Sequence, residues 1–334
     1  MTKLEQLKSL IKNKSYDVGH PVLFHPILMQ FAARFNNHTY TDLMKDYKVR
    51  VESNVKCLEH FNLDWVTLMS DPYCETSAFG AKVVFSGNNT PKCQHIVKTL
   101  EDIESLENPD VCNCERTIDR MKAAEYYKKL LGNDYPIVGW IEGPLAEACD
   151  LADVNDILLK VIMEPVFVKT LMDKCMITAK AFAKAQVEAG CNVIGVGDAI
   201  CSQISTEMYQ ELVLPLHIEL FEYIHLLGAI TKLHICGDIT HLLPNIKNLQ
   251  ADIVDLDWMV DMTHAHEVLG DNFTLCGNLN PVNCIQDLPA REVYEQTAAL
   301  LEKEKGKNFI LSGGCEITVD TPVENLQAMR EASL

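Results

Sequence analysis

Eight short β-rich runs, separated by stretches with helical periodicity, are the feature that most constrains how this chain folds. In the stretch 164–189, Phe167, Leu171 and Phe182 are spaced to bury one face of a helix, and Gly190 then offers the C-cap that such a helix needs. Strand followed by helix, repeated about eight times, predicts an α/β fold, a single (β/α)8 TIM barrel. The predicted strands are 21–24, 65–69, 137–141, 192–196, 230–235, 252–256, 272–276 and 308–311.

The stretch 72–133, between the second and third predicted strands, is longer than a connection in a barrel needs. It contains a hairpin signal, Gly-Asn-Asn-Thr-Pro, at 87–91. We expect this stretch to form an inserted lid or wall over the mouth of the barrel, inside one domain that spans residues 1–334.

His234 and Cys236 are the strongest functional signal in the chain. Side chains two apart on a strand point the same way, so the imidazole and the thiol at the end of 230–235 are aimed at one spot. Cys315 also follows a predicted strand, and the two glycines before it can adopt backbone angles that let the chain turn tightly and present the thiol. Three protein ligands, one of them distant in sequence, are typical of a catalytic zinc with an open coordination position.

Two other interpretations of these residues stay open. His234 and Cys236 alone could be a core histidine beside a buried cysteine, and it is Cys315 in its glycine turn that favours a metal. Cys276 ends a neighbouring predicted strand and could replace or join the ligands, although a packing or pocket-wall role is favoured.

Polar residues also follow the other predicted strands, at the end of a barrel where reactive groups gather. Asp198 and Glu142 could orient the zinc histidine or a substrate hydroxyl, although carboxylates at a barrel mouth are often only solvated. The run 195–197, Gly-Val-Gly, lacks the combined context of strand, Gly-x-Gly-x-x-Gly and helix that a dinucleotide site has, so no such cofactor is expected. Further polar residues at strand ends are His25, Asp71, Asp255, Asp257 and Asn278.

Charge and composition exclude several classes of function. A net charge of −18 argues against nucleic-acid binding, which needs clustered Lys and Arg, and against docking on anionic membranes. No apolar run approaches the roughly 18 residues of a membrane-spanning helix, and the N-terminus is amphipathic rather than signal-like. The 13 cysteines are odd in number and scattered through apolar and helical contexts, which indicates reduced thiols. We therefore expect a soluble cytoplasmic protein.

The order of four segments resembles that of the uroporphyrinogen decarboxylase superfamily and, within it, of the zinc methyltransferases that work with corrinoid proteins. In the coenzyme M methyltransferases of this group a His-x-Cys pair and a late cysteine bind zinc, and the matching positions here are His234, Cys236 and Cys315. The resemblance therefore implies a zinc centre at these residues and a corrinoid held on a partner protein. The similar segments are 193–198, 233–240, 276–281 and 311–325.

The chain departs from the decarboxylase itself. That enzyme holds an acidic tetrapyrrole with two arginines near its N-terminus, whereas the stretch 26–34 offers only Arg34. It also has a histidine where this chain has Cys315. Asp71 matches the position of the decarboxylase's catalytic aspartate, and we expect it to line the substrate pocket here. Porphyrinogen decarboxylation thus stays an alternative with little support.

The resemblance implies an enzyme of the corrinoid-protein-dependent methyltransferase type. Zinc as a Lewis acid would activate a substrate thiol or polarise a methylated oxygen, so the motif fits both directions of methyl transfer. We favour demethylation of a small O-methylated compound, an aromatic methyl ether, because apolar positions such as Phe24, Phe31 and Phe35 could face the pocket. The alternatives are a methylcorrinoid protein:thiol methyltransferase of the coenzyme M type and a non-catalytic, zinc-stabilised docking barrel. In the catalytic cases the corrinoid-carrying partner meets the rim of the barrel mouth.

Overall fold

A curled parallel β-sheet with helices around it forms the centre of the protein, in a computed structural model that describes residues 1–13 and 21–334. The strands are β1 (Val66–Thr67), β2 (Val83–Ser86), β3 (Asn89–Cys93), β4 (Ile137–Glu142), β5 (Val193–Gly197), β6 (Ile230–Ile235), β7 (Ile253–Leu256), β8 (Thr274–Leu279) and β9 (Phe309–Gly313). In the sheet, β1 and β4 to β9 pair in parallel in chain order, whereas β2 and β3 form a separate antiparallel hairpin. The predicted α/β class is confirmed.

Helices connect the strands of the sheet. They are α1 (Lys3–Asn13), α2 (Gln30–Phe35), α3 (Tyr40–Lys45), α4 (Tyr47–Phe61), α5 (Cys74–Ala78), α6 (Leu100–Ser105), α7 (Glu115–Leu131), α8 (Pro144–Ala152), α9 (Val154–Met163), α10 (Pro165–Glu188), α11 (Thr206–Met208), α12 (Leu214–Leu226), α13 (Leu243–Ile246), α14 (Met262–Leu269), α15 (Ala290–Lys303) and α16 (Val323–Ala332). Helix α10 buries Phe167, Leu171 and Phe182 as predicted, and the chain leaves it through Gly190 at a φ of 121°.

The chain around Phe24 closes the sheet into a barrel. On one side Phe24 forms a parallel bridge with Leu311 of β9. On the other side its carbonyl accepts the backbone N–H of Asp64, just before β1, at 3.2 Å. Of the predicted strand 21–24 only this bridge forms, because a proline lies on either side of it and has no amide hydrogen for a ladder. The predicted (β/α)8 barrel is thereby confirmed, with seven strands and one bridge among the described residues.

The stretch 72–133 contains the predicted hairpin, formed by β2 and β3. Its turn is tied to the start of α3, because the backbone N–H of Thr41 donates to the Gly87 carbonyl at 3.0 Å and that of Tyr40 donates to Asn88 Oδ1 at 2.9 Å. The last part of the stretch, α7, packs against α4 and β4 as an ordinary barrel helix. That the rest of the stretch acts as a lid stays a prediction.

Helix α1 covers the amino-terminal end of the barrel. Leu7 and Leu10 of α1 pack with Val193 and Ile253, which begin strands β5 and β7. This inner apolar cluster fills one end of the barrel and leaves the carboxyl ends of the strands as its mouth. Among the helices of the described residues, none combines the length and the apolar character that crossing a membrane requires.

Candidate metal centre

Three side chains meet at the carboxyl ends of β6 and β9. His234 Nε2 lies 3.0 Å from Cys236 Sγ and 3.9 Å from Cys315 Sγ, and the two sulfurs are 3.5 Å apart. His234 is buried, whereas both cysteines keep partial exposure. The structure therefore brings together the three residues predicted as metal ligands.

The spacing suits a tetrahedral zinc ion. With a Zn–N distance of about 2.1 Å and a Zn–S distance of about 2.3 Å, tetrahedral geometry separates a nitrogen from a sulfur ligand by about 3.6 Å and two sulfurs by about 3.8 Å. The separations of 3.0, 3.9 and 3.5 Å scatter around these values, so small side-chain movements would place all three atoms on one ion. Imidazole and thiolate are donors that zinc prefers, and three of them leave one position open.

The two glycines before Cys315 are needed for their small size rather than for special backbone angles. Neither Gly313 nor Gly314 has a positive φ, which corrects the expectation from the sequence. A Cβ on Gly314 would lie 2.3 Å from the backbone nitrogen of Trp258, and one on Gly313 would lie 2.9 Å from Ile317 Cδ1. The missing side chains let the turn pack against the loop after β7, and this packing fixes the position of Cys315.

A buried carboxylate holds the imidazole of His234. Asp255 Oδ2 lies 3.3 Å from His234 Nδ1 and 2.8 Å from Lys232 Nζ, and the side chains of Asp255 and Lys232 are fully buried. Burial opposes the charge on Asp255, but Lys232 and His234 outweigh it and lower the pKa of that carboxyl to about 2. The charged carboxylate favours the tautomer with its hydrogen on Nδ1, which leaves Nε2 to face the sulfurs as a metal ligand.

The sequence predicts Asp255 at a strand end but contains no local signal for its role. The signal that identifies it is its register, since Asp255 of β7 pairs directly opposite His234 of β6. His25, another polar residue at a predicted strand end, lies inside the barrel, with its Nδ1 3.5 Å from Lys232 Nζ and its ring against Trp65. Burial and the charge of Lys232 lower the pKa of His25, so it is neutral at neutral pH.

Asp198 is committed to other partners. Its carboxylate accepts hydrogen bonds from two backbone N–H groups at the start of α8 and pairs with His217 Nε2 at 2.9 Å. His217 Nδ1 in turn lies 3.0 Å from the Tyr209 hydroxyl, and all three residues are buried. Asp198 therefore anchors α8, whereas the side chain that contacts the imidazole of His234 is Asp255.

Glu142 ends β4 near the three predicted ligands, together with Trp140. The indole Nε1 of Trp140 donates to Glu142 Oε1 at 3.1 Å, and the Trp140 and His234 rings lie 6.4 Å apart between centroids. Burial, reinforced by the negative charges of Glu75 and Asp150, raises the pKa of Glu142 well above its usual value. Glu142 therefore keeps its proton to a higher pH than an ordinary glutamate does.

Asp71 follows β1 and is enclosed by cations. Its Oδ2 atom pairs with Arg116 and, at 3.3 Å, with Arg120, and it accepts the Ser70 hydroxyl at 2.7 Å. Burial alone would raise the pKa of Asp71, but the two guanidinium groups hold it below the usual value. Asp71 is therefore an ionised group whose charge is already matched by protein.

Two further sets of residues lie in the core. Cys276 is fully buried in the inner cluster with Trp65 and Ile310, which agrees with the packing role favoured for it. The apolar positions near the first strand do not line a pocket as expected, because Phe24 and Phe31 are fully buried in the main core. Their support for an aromatic substrate is lost.

The family model described as uroporphyrinogen decarboxylase (URO-D) matches residues 2–333. Among curated relatives, a uroporphyrinogen decarboxylase of Geobacter sulfurreducens is 25% identical over 330 residues, which are 94% of this chain and 95% of that protein. The methylcobamide:CoM methyltransferase MtbA of Methanosarcina acetivorans is 29% identical over 242 residues, 72% of this chain and 70% of that protein. The methylcobamide:CoM methyltransferase MtaA of Methanosarcina barkeri is 24% identical over 279 residues, 81% and 80% of the two chains.

Among solved structures, a methyltransferase from Methanosarcina mazei superposes with a TM-score of 0.91 at 20% sequence identity. The match covers 100% of this chain and 98% of the other. At this identity the agreement shows a shared fold.

Proposed function

The chain belongs to the uroporphyrinogen decarboxylase family, and within that family we propose that it is a zinc-dependent methyltransferase that moves a methyl group between a small substrate and the cobalt of a corrinoid protein. One observation carries the proposal: His234 Nε2 and the sulfurs of Cys236 and Cys315 converge with the spacing of tetrahedral zinc ligands. Curated relatives named as methylcobamide:CoM methyltransferases support it further.

The chain's own residues prepare the site for this chemistry. A bound zinc ion would supply a Lewis acid for the sulfur or oxygen of the substrate. Asp255 fixes the tautomer of His234, and the partial exposure of Cys236 and Cys315 leaves the remaining side of the site approachable. Glu142, whose pKa is raised by burial, would supply a hydrogen bond to a substrate heteroatom in this proposal.

We propose demethylation of an aromatic methyl ether as the direction of transfer, supported by the aromatic wall that Trp140 forms beside His234. A second candidate is methylation of a thiol, which the names of the Methanosarcina relatives favour. Porphyrinogen decarboxylation is less well supported, because Arg34 donates to the Thr321 carbonyl and the arginines near Asp71 are already paired. A purely structural metal is also less well supported, since Cys276 is not in the group of possible ligands that His234, Cys236 and Cys315 form.

The corrinoid-carrying partner must reach the mouth of the barrel. The loop after β7 lies on this rim and exposes two large side chains, Trp258 at 43% and Met259 at 48%. The loop is braced, because Asp257 accepts the backbone N–H groups of Gly237 and Trp258, each at 2.7 Å, and Asn278 donates to two of its carbonyls. A rigid loop that exposes apolar side chains beside Cys315 supports a docking surface for the corrinoid protein.

The test combines metal content with the spectrum of the corrinoid. With cob(I)alamin, the proposal expects loss of the cobalt(I) band when 2-methoxyphenol is added. Formation of cobalt(I) from methylcobalamin that depends on a thiol would favour the second candidate. Cys315→Ser should stay folded but lose zinc and turnover, whereas Cys112→Ser, an exposed thiol outside the site, should change neither. A zinc-loaded protein that transfers methyl in neither direction would overturn the proposal, and unfolding of Cys315→Ser would favour a structural metal.

A further inference from the structure

Two glycines of β5 make a floor for the indole ring of Trp140. A Cβ on Gly195 would lie 2.4 Å from Cε3 of the indole, and one on Gly197 would lie 2.6 Å from Cζ2. Side chains never approach so closely, so the ring occupies the space that the two missing side chains leave. The register of β4 and β5 explains the fit, because Trp140 pairs opposite Gly195 and Glu142 opposite Gly197.

The ring is held at its edge and points towards the metal centre. Its Nε1 donates to Glu142 Oε1 at 3.1 Å, and its centroid lies 6.4 Å from that of the His234 ring. Trp140 also keeps part of its surface exposed, although it stands on the inner wall of the barrel. Since one face of the ring lies on β5, the exposed face looks into the barrel.

We propose that Trp140, on the floor formed by Gly195 and Gly197, is a stacking platform for the planar ring of an aromatic methyl ether beside His234, Cys236 and Cys315. The inference deepens the proposed function and rests on it, because it names the residue that would hold the substrate ring in the same site. An indole face presents a flat apolar surface on which an aromatic ring gains area and stacking energy, whereas a short aliphatic thiol gains little.

The charges around the site argue in the same direction. An aliphatic thiol that carries a sulfonate needs a free cation to bind its anionic end. Lys232, the buried cation that shares a carboxylate with His234, is committed to Asp255 at 2.8 Å. Glu142 holds the indole edge and offers no positive charge, so the wall around Trp140 suits an uncharged aromatic ring.

Calorimetric titration of the zinc-loaded protein with 2-methoxyphenol and with 2-mercaptoethanesulfonate tests the platform without turnover. Trp140→Leu removes the ring, Trp140→Phe keeps an aromatic face, and Gly195→Ala displaces the ring while leaving it in the chain. Tyr294→Leu, at an exposed aromatic residue on α15, is the matched control. Zinc content is measured for every variant.

Trp140→Leu should raise the Kd for 2-methoxyphenol about tenfold, Gly195→Ala should raise it similarly, and Trp140→Phe should raise it less than about threefold. The Kd for the thiol and the zinc content should not change. An unchanged Kd for 2-methoxyphenol in Trp140→Leu, or a wild-type protein that binds only the thiol, overturns the platform and leaves zinc-dependent methyl transfer standing. Absence of zinc from the wild-type protein instead defeats the proposed function, while the dependence of 2-methoxyphenol binding on Trp140 is still read from the same titration.

Discussion

Replacing Asp255 by asparagine separates two roles that one carboxylate performs. Asp255 pairs with Lys232 at 2.8 Å and with His234 at 3.3 Å, and its side chain is fully buried. Asp255→Asn leaves the Lys232 ammonium buried without an opposite charge, which should lower the free energy of unfolding by about 3–5 kcal/mol. The same change loosens the imidazole and should weaken zinc binding by roughly 10- to 100-fold.

The double variant Lys232→Met, Asp255→Asn distinguishes the two effects. Because it removes both charges, it should recover most of the lost stability, yet it should bind zinc as weakly as the single variant. Urea unfolding of the metal-free protein measures the first quantity, and competition with a chelator measures the second. Asp173→Asn is the control, since its exposed pair with Lys169 on α10 should contribute under about 1 kcal/mol and nothing to zinc affinity.

Two results would refute this reasoning. Wild-type zinc affinity in Asp255→Asn would show that the carboxylate does not position His234. A double variant as unstable as the single one would show that the charge of Lys232 is not the source of the lost stability, and that the contact of 2.8 Å does not behave as a buried ion pair.

Three further outcomes follow from the structure. Gly314→Ala places a Cβ 2.3 Å from the neighbouring loop, so it should displace Cys315 and lower zinc affinity at least about tenfold in the chelator assay; unchanged affinity would show that the turn does not position this ligand. Burial, with the nearby charge of Glu75, raises the pKa of Glu147, so the folded state keeps a proton that the unfolded chain loses and stability falls as the pH rises above 4.5. Glu147→Gln should therefore raise the free energy of unfolding at pH 8, by on the order of 1 kcal/mol, but not at pH 4, and an equal effect at both would contradict the assignment. Trp258→Ala should raise the KM for the corrinoid carrier and leave zinc content unchanged, and an unaltered KM would remove this loop from the docking surface.

Residues that share one strand or follow one strand closely could be predicted from the sequence. His234 and Cys236 were placed together because alternation along β6 is a local property, and their atoms lie 3.0 Å apart. The end of α10 at Gly190 was likewise predicted from local signals. The strand predicted at 21–24 is reduced to a single bridge at Phe24, because the prolines on either side of it have no amide hydrogen for a ladder.

Roles that depend on the register between strands could not be predicted. Asp198 and Asp255 both end strands, yet only the pairing of β6 with β7 places Asp255 opposite His234. The sequence shows only that Gly195 and Gly197 do not form a dinucleotide motif. Their contact with the ring of Trp140 depends on the register of β4 and β5, which the sequence does not give. The need for glycine at position 314 could not be predicted either, because the backbone nitrogen that a Cβ would clash with belongs to Trp258, in the loop after β7.

X-ray absorption at the zinc edge of the purified protein tests the central claim most directly. The account predicts about one zinc per chain, bound by two sulfurs and one imidazole nitrogen, with a fourth light-atom ligand that an added thiol or phenolate replaces. A protein without zinc, or a zinc ion with a complete shell of four protein ligands that no substrate changes, would contradict it.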